Sequence, residues 1–447
     1  MGRGWAAALL CLIVGCSDEA APGAPASAGT DLVVPTTGET AAPSSSANGA
    51  AIPPVGTAAT PSTAASENGE SPSSLEPPAM DPAVATAQET GEGSDGGGAA
   101  PTGDGGQTTP EGDADASEAG DDLEVSGEDE SDSALCNVGV YDGTTPQTLA
   151  LSGDTFAHDP TMIEVDGVFY RFWTGDFIPM ATSSDLRTWR NGPSVYGRET
   201  PDWARRWLAG VPGQTFNFPW APDVSYFGGR YHLYSSFSAK FGDNISCITH
   251  LTTDDIAQGD WTDHGPVICT EGNEQYNAID ADVGLDADGN PYLAFGSFWD
   301  GIMAFPLDEE GNRVGTDLTR LAWAREIEAP VLFRRCGYYY LFVTFGLCCP
   351  GQNRRVSQLT YRVAVGRSEN IMGPYLDREG RPLLEGGGTL MVEGNDEFAA
   401  AGHSDVLVHE DKIYHLYHAY RLPGGGAELR IVEMPFDEEG WPVPAGP

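Results

Sequence analysis

The chain has 447 residues, with 23 Lys and Arg against 66 Asp and Glu, a formal net charge of −43. So few cations leave no basic surface for neutralising phosphates, which excludes nucleic-acid binding and electrostatic docking to anionic lipid. No apolar run reaches the roughly 18 residues of a membrane-spanning helix.

Arg3 precedes an apolar stretch from Ala6 to Val14, the length of a secretory signal core. The stretch ends in Ile13-Val14-Gly15-Cys16, which resembles the lipobox of bacterial lipoproteins. Residues 1–15 are therefore expected to be a lipoprotein signal peptide and Cys16 the lipidated residue. The alternative is an ordinary cleaved signal that happens to contain a cysteine. Asp after the cysteine often retains such proteins at the inner membrane. Ser17 stands there instead, which points to the outer membrane or cell surface.

Between Ser17 and Ser133 there are 23 acids and no Lys or Arg, set among Ala, Gly, Pro, Ser and Thr with hardly an aromatic. Such a segment buries too little apolar surface to offset the entropy of ordering. Residues 16–133 are expected to be a disordered acidic linker held by lipid alone, about 60 Å between its ends as a random coil. Residues 134–447 remain, with 43 acids and 22 bases. This length is ordinary for a barrel or propeller. It holds six cysteines, Cys136, Cys247, Cys269, Cys336, Cys348 and Cys349. An even number in an exported domain without a CxxC pair favours disulfides over zinc and leaves the pairing open.

The domain repeats itself. DPTMIEVDGVFYRFWT from Asp159, APDVSYFGGRYHLYSS from Ala221, DADVGLDADGNPYLAFGS from Asp280, EAPVLFRRCGYYYLFVTF from Glu328 and HSDVLVHEDKIYHLYHA from His403 each read as an apolar strand, a tight turn and an aromatic strand. The landmarks Asp159, Asp223, Asp280, Glu328 and His403 recur at intervals suited to a four-stranded blade with loops. Helix-period runs are nearly absent. The predicted architecture is all-β, a five-bladed β-propeller, ahead of a β-sandwich.

In a propeller the starts of the innermost strands converge, so these four carboxylates and one imidazole are expected at one mouth of the channel. Strand-end capping explains one or two of them. Paired carboxylates without a nucleophile elbow or a phosphate loop suit glycosidic hydrolysis, where one carboxyl protonates the leaving oxygen and another activates water or attacks carbon. Phe177, Trp220, Tyr276, Phe298 and Trp299 lie close by in sequence, as sugar platforms or as core.

Ala157-His158-Asp159-Pro160, Trp220-Ala221-Pro222-Asp223, Asn277-Ala278-Ile279-Asp280, Phe295-Gly296-Ser297-Phe298-Trp299, Ile327-Glu328-Ala329-Pro330 and Gly402-His403-Ser404 together resemble glycoside hydrolase family 43, most of all its endo-1,5-alpha-L-arabinanase branch. Cys348-Cys349 with Gly351, Val365-Gly366-Arg367-Ser368, Tyr417-His418-Ala419-Tyr420 and Gly440-Trp441-Pro442 are also similar to that branch. The resemblance implies a five-bladed propeller that hydrolyses arabinan with inversion, with Asp159 as general base, Glu328 as general acid and Asp280 raising and orienting the acid. Inversion requires base and acid carboxyls roughly 6.5 to 9.5 Å apart. Phe177, Trp220, Asp223, Asn277, Phe298 and Trp299 are the expected substrate contacts. His403 matches the histidine that reaches one mostly water-coordinated calcium ion in the channel, its alternative being a hydrogen-bonded channel residue.

The pattern departs from the family in three places. Ala281 replaces the usual Pro after the third-blade Asp and is followed by Asp282, so either Asp280 or Asp282 could face the cleft. Gly402-His403-Ser404-Asp405 stands for Gly-His-Asn-Ser, and Phe345-Gly346 for Phe-Asp. The leading expectation is an exported, monomeric, endo-acting arabinan hydrolase of the cell envelope. The alternatives are an exo-arabinanase, arabinofuranosidase or xylosidase on the same scaffold, or a non-catalytic glycan-binding propeller.

Overall fold

The computed structural model describes residues 134–215, 218–350 and 354–447. The expected signal peptide, Cys16 and the acidic linker lie outside them.

The described chain folds into five sheets. The first holds β1 (Ser152–Gly153), β2 (Thr161–Val165), β3 (Val168–Phe172), β4 (Met180–Ser183) and β5 (Thr188–Asn191). The second is β6 (Pro219–Phe227) to β9 (Thr262–Glu271), with β7 (Arg230–Ser238) and β8 (Ile245–Thr253) between. The third runs from β10 (Asp282–Leu285) through β11 (Pro291–Phe295) and β12 (Ile302–Pro306) to β13 (Thr319–Ala322). The fourth comprises β14 (Ile327–Arg335), β15 (Tyr338–Phe345), β16 (Arg362–Ser368) and β17 (Thr389–Glu393). The last is β18 (Phe398–His409), β19 (Lys412–Arg421) and β20 (Ala427–Glu433). Contacts link β2 to β6, β6 to β10, β10 to β14, β14 to β18 and β18 back to β2, so the innermost strands close a ring. This is the predicted five-bladed β-propeller. One helix, α1 (Asp202–Gly210), sits between the first two blades and was not foreseen.

Local chemistry makes each blade. Asp166-Gly167 and Gly228-Gly229 turn the inner hairpins with both residues left-handed, the two-residue turn whose twist matches the flanking strands. The core is divided among five seams. Tyr170 and Phe172 pack with Val224 and Leu233 between the first and second blades, Tyr234 with Leu293 and Phe295 between the next pair, and Ile302 with Leu341 and Val343 further round. Phe342 with Ile413, and Leu416 with Trp189, fill the remaining two.

The last blade has three named strands, and its outer edge is completed by the beginning of the domain. Leu149 N–H donates to Ile431 O at 2.9 Å, and Leu429 N–H to Thr155 O at 2.9 Å. The same segment contributes β1, parallel to β5 of the first blade. One stretch of chain therefore joins the first blade to the last. The disulfide Cys136–Cys336 ties its start to the fourth blade, while Cys247–Cys269 staples β8 to β9 and Cys348–Cys349 is vicinal.

Candidate active site

Five residues enter the channel with left-handed backbone: Asp159 (φ 52), Ala221 (φ 39), Asp280 (φ 59), Ala329 (φ 53) and His403 (φ 50). They are the equivalent positions of the five blades. Bulges in β6, β14 and β18 at this level break the strand alternation and re-aim side chains. Strained backbone held by surrounding structure is common at functional sites. Asp159, Asp280 and His403 occupy this tier, and His158, Trp220, Ile279 and Glu328 stand one residue earlier. All seven line one cavity of about 600 Å³.

Two residues deeper, a different tier latches the blades together. Val224 N–H donates to Thr161 Oγ1 (3.3 Å), Val283 N–H to Asp223 Oδ2 (3.2 Å), Leu332 N–H to Asp282 Oδ2 (2.7 Å) and Met162 N–H to Asp405 Oδ2 (2.7 Å). In each case a side chain of one inner strand accepts from the next. Asp223 thus belongs to the latch and does not line the cavity, which corrects its expected role as a substrate contact. It lies two residues beyond the register of Asp159. The same register resolves the choice between Asp280 and Asp282: Asp280 lines the cavity and Asp282 is a latch.

The cavity carboxylates Asp159, Asp280 and Glu328 are buried and differently partnered. Asp159 Oδ2 is 2.7 Å from His158 Nδ1 and accepts from Thr174 Oγ1 at 2.6 Å, while Oδ1 is 3.1 Å from His403 Nδ1. Burial pushes the Asp159 carboxyl up, but His158 and His403 outweigh it and hold it well below the usual range. Its backbone N–H donates to His418 Nδ1 at 3.1 Å, and His418 stacks on His158. Glu328 accepts from Ser297 Oγ at 2.7 Å and from the Tyr361 hydroxyl. Burial raises the Glu328 carboxyl, opposed by those two donors and His403 and assisted by Asp159. Burial likewise pushes Asp280 well above its ordinary value, with Glu328 and Asp159 adding to the shift against His403. One carboxylate is thus held ionised and two are biased towards the protonated form, the division of labour that acid–base hydrolysis requires.

His403 sits among all three. Burial disfavours its charge, yet Asp159, Asp280 and Glu328 raise it to about 9. With Nδ1 turned to Asp159, its Nε2 makes no hydrogen bond among the described residues. A carboxylate on one ring nitrogen and a free second nitrogen is the orientation of a metal-ligating histidine. No group of three metal-ligating side chains among the described residues includes His403. His403 thus offers an ion a single protein nitrogen.

Trp220, Asn277, Phe298 and Trp299 line the cavity as expected. Phe177 does not: it lies in the turn between β3 and β4, where its carbonyl accepts from Tyr196 N–H at 3.0 Å. Tyr276 packs into the seam between the second and third blades, edge-on to Phe295. Thr174 and Tyr361, unforeseen from sequence, also line the cavity, as do Lys240, Phe241, Arg325, Arg354 and the vicinal disulfide.

The family model described as Glycosyl hydrolases family 43 matches residues 153–442, nearly the whole propeller. The chain belongs to glycosyl hydrolase family 43. As a family 43 member it is a glycoside hydrolase. It is 38% identical over 324 residues to an extracellular endo-alpha-(1->5)-L-arabinanase of Bacillus subtilis, covering 70% of this chain and 95% of the relative. An extracellular exo-alpha-(1->5)-L-arabinofuranosidase of Cellvibrio japonicus is 36% identical, with 64% and 85% covered. Among solved family 43 structures, the endo-arabinanase of Bacillus licheniformis superposes with a TM-score of 0.60 at 40% identity, over 66% of this chain and all but 1% of that one, 99% being covered.

Proposed function

We propose that this family 43 enzyme hydrolyses α-1,5-linked L-arabinofuranosyl bonds in arabinan, acting within the chain and inverting the anomeric centre. The observation carrying this reading is one cavity that brings together Asp159, whose histidine partners hold its carboxyl well below the usual range, and Asp280 and Glu328, whose carboxyls burial raises, in a chain whose relatives include endo-arabinanases.

Asp159 takes a proton from a water molecule whose oxygen bonds to the anomeric carbon as the bond to the leaving sugar breaks. Glu328 gives its proton to the departing oxygen. Both carboxyls return to their starting states by proton exchange with solvent. Asp280 and Glu328 oppose each other's ionisation, so the pair holds a proton available for the leaving oxygen, and Asp280 is the residue assigned to orient the acid. Trp220, Phe298 and Trp299 offer apolar faces to sugar rings, and Asn277, with Oδ1 unpartnered and buried, offers a polar contact. A calcium ion on His403 Nε2 would supply positive charge beside the three carboxylates.

Relatives called extracellular support export. We infer an envelope lipoprotein anchored by lipid on Cys16, with a monomeric catalytic domain. A second reading is exo action, favoured by relatives of that kind: an exo-1,5-alpha-L-arabinanase structure from a bovine ruminal metagenomic library is 35% identical with a TM-score of 0.60.

The test is product analysis on debranched arabinan beside an aryl arabinofuranoside and xylan. Mixed oligosaccharides early in the digest mark endo action. Release of arabinose or one fixed oligomer alone assigns exo action, and no turnover on any of the three removes the arabinan reading. Glu328→Gln should slow arabinan by roughly 10²–10⁴-fold and slow aryl glycosides with activated leaving groups far less.

A further inference from the structure

Three Lys or Arg side chains line the cavity of a chain that carries 66 acids and only 23 Lys and Arg. Lys240 is neutralised locally by Asp243 at 3.3 Å. Arg325 and Arg354 have no hydrogen bond or ion pair among the described residues. Arg325 is exposed and Arg354 half-buried. Both belong to connections of the fourth blade: Arg325 lies three residues before Glu328, and Arg354 lies between β15 and β16, five residues after Cys349. A guanidinium can donate to the hydroxyls of a neutral pentose chain, but only an anion also answers its charge. Nor do they serve the buried acids directly, since Asp159 already has His158 and His403 within 3.1 Å and Glu328 has Ser297 and Tyr361. A guanidinium presents a planar fork matched to a carboxylate.

We propose that the leaving-group side of the cleft binds a saccharide carrying a carboxylate, through Arg325 and Arg354. The leaving-group side is assigned because both arginines line the cavity from connections beside the strands of the blade that carries Glu328, the donor to the leaving oxygen. This inference rests on the arabinan reading given above. It makes the substrate class an arabino-oligosaccharide or arabinan chain whose leaving portion is acidic. Contacts of this exposure contribute modestly each and are screened by salt, so together they amount to roughly a two- to tenfold preference.

The experiment compares two derivatives of arabinotetraose that differ in one group at the reducing end, which occupies the leaving-group side. One is the aldonate from mild oxidation, and the other is the alditol from borohydride reduction. In the wild-type enzyme at low ionic strength, kcat/KM for the aldonate should exceed that for the alditol by two- to tenfold. The ratio should fall towards one in high salt and in the Arg325→Gln, Arg354→Gln double variant. A wild-type ratio of one or less overturns the proposal, as does a ratio the double variant leaves intact. Failure to cleave either derivative or the parent tetraose would instead overturn the arabinan reading, and the proposal with it.

Discussion

The Tyr361 hydroxyl donates to Glu328 Oε1. A donor on a carboxylate favours its ionised form, so Tyr361 opposes the burial that keeps Glu328 protonated while fixing the direction in which the group points. Tyr361→Phe removes both effects. The general acid works only when protonated, so a higher pKa moves the alkaline limb of kcat/KM to higher pH, and looser orientation lowers kcat by roughly tenfold. The pH profile of kcat/KM on a substrate with a poor leaving group measures both. An alkaline limb that stays in place or moves down would remove Tyr361 from this role.

Removal of metal probes His403. Its raised pKa of about 9 means that in the absence of an ion it carries a proton at neutral pH, and a cation must displace that proton to bind. Exhaustive chelation at pH 7 should lower turnover or melting temperature, and calcium should restore it. His403→Ala should abolish the response to calcium. Elemental analysis finding no metal, together with an unchanged protein after chelation, would leave His403 as the charged partner of Asp159 alone.

The disulfides should separate stability from catalysis. Cys136–Cys336 closes a sequence separation of 200 residues, and in the chain-entropy account its loss costs about 5 kcal/mol. Cys348–Cys349 spans one residue and restrains almost nothing in the unfolded chain. It lines the cavity, and Cys349 Sγ is 3.6 Å from His158 Nε2. Ser replacement of the first pair is expected to lower the melting temperature by many degrees. Replacement of the vicinal pair should leave melting nearly unchanged and reduce kcat/KM several-fold. Calorimetry beside kinetics distinguishes these outcomes, and equal melting of the two variants would contradict the assignment.

Acid sensitivity should come from a histidine ladder away from the cavity. His232 Nδ1 is 2.9 Å from His250 Nε2, and His250 stacks on His264. Burial lowers His232 to about 4 and His250 to about 3. As pH falls below the ordinary histidine value near 6.5, the unfolded chain takes up protons that the folded one refuses, so stability declines with falling pH to about 4 for His232 and about 3 for His250. Replacing His250 with Gln should make the melting temperature fall less steeply between pH 6.5 and 4, while buried His232 and His415 keep their share. A slope equal to that of the wild type would clear the ladder of responsibility.

The blade count was legible because hairpins leave local signatures: an apolar strand, a turn, an aromatic strand. Asp159, Asp280, Glu328 and His403 were legible because they begin those signatures, and the structure gathers all four in one cavity. Register was not legible to within two residues. Hydrophobic alternation places a strand but does not say where a bulge interrupts it, and Asp223 was misplaced for that reason. Thr174 and Tyr361 reach the cavity from segments between or beside inner strands, where no repeat marks them. The pairing of residues near Leu149 with β20 joins sequence positions almost 300 apart, and no local pattern announces it.

The double duty of the segment around residues 147–156 has a mechanical consequence. Tension applied to the chain ahead of the propeller would, through hydrogen bonds alone, peel this segment from β20 and open the ring. The first link it meets is Cys136, covalently joined to Cys336 at the turn between β14 and β15. Arg335 reinforces the junction, its Nη2 donating to Cys136 O and Val138 O at 2.9 Å each. The load passes into the fourth blade before it reaches the closure, so the ring stays shut under such tension.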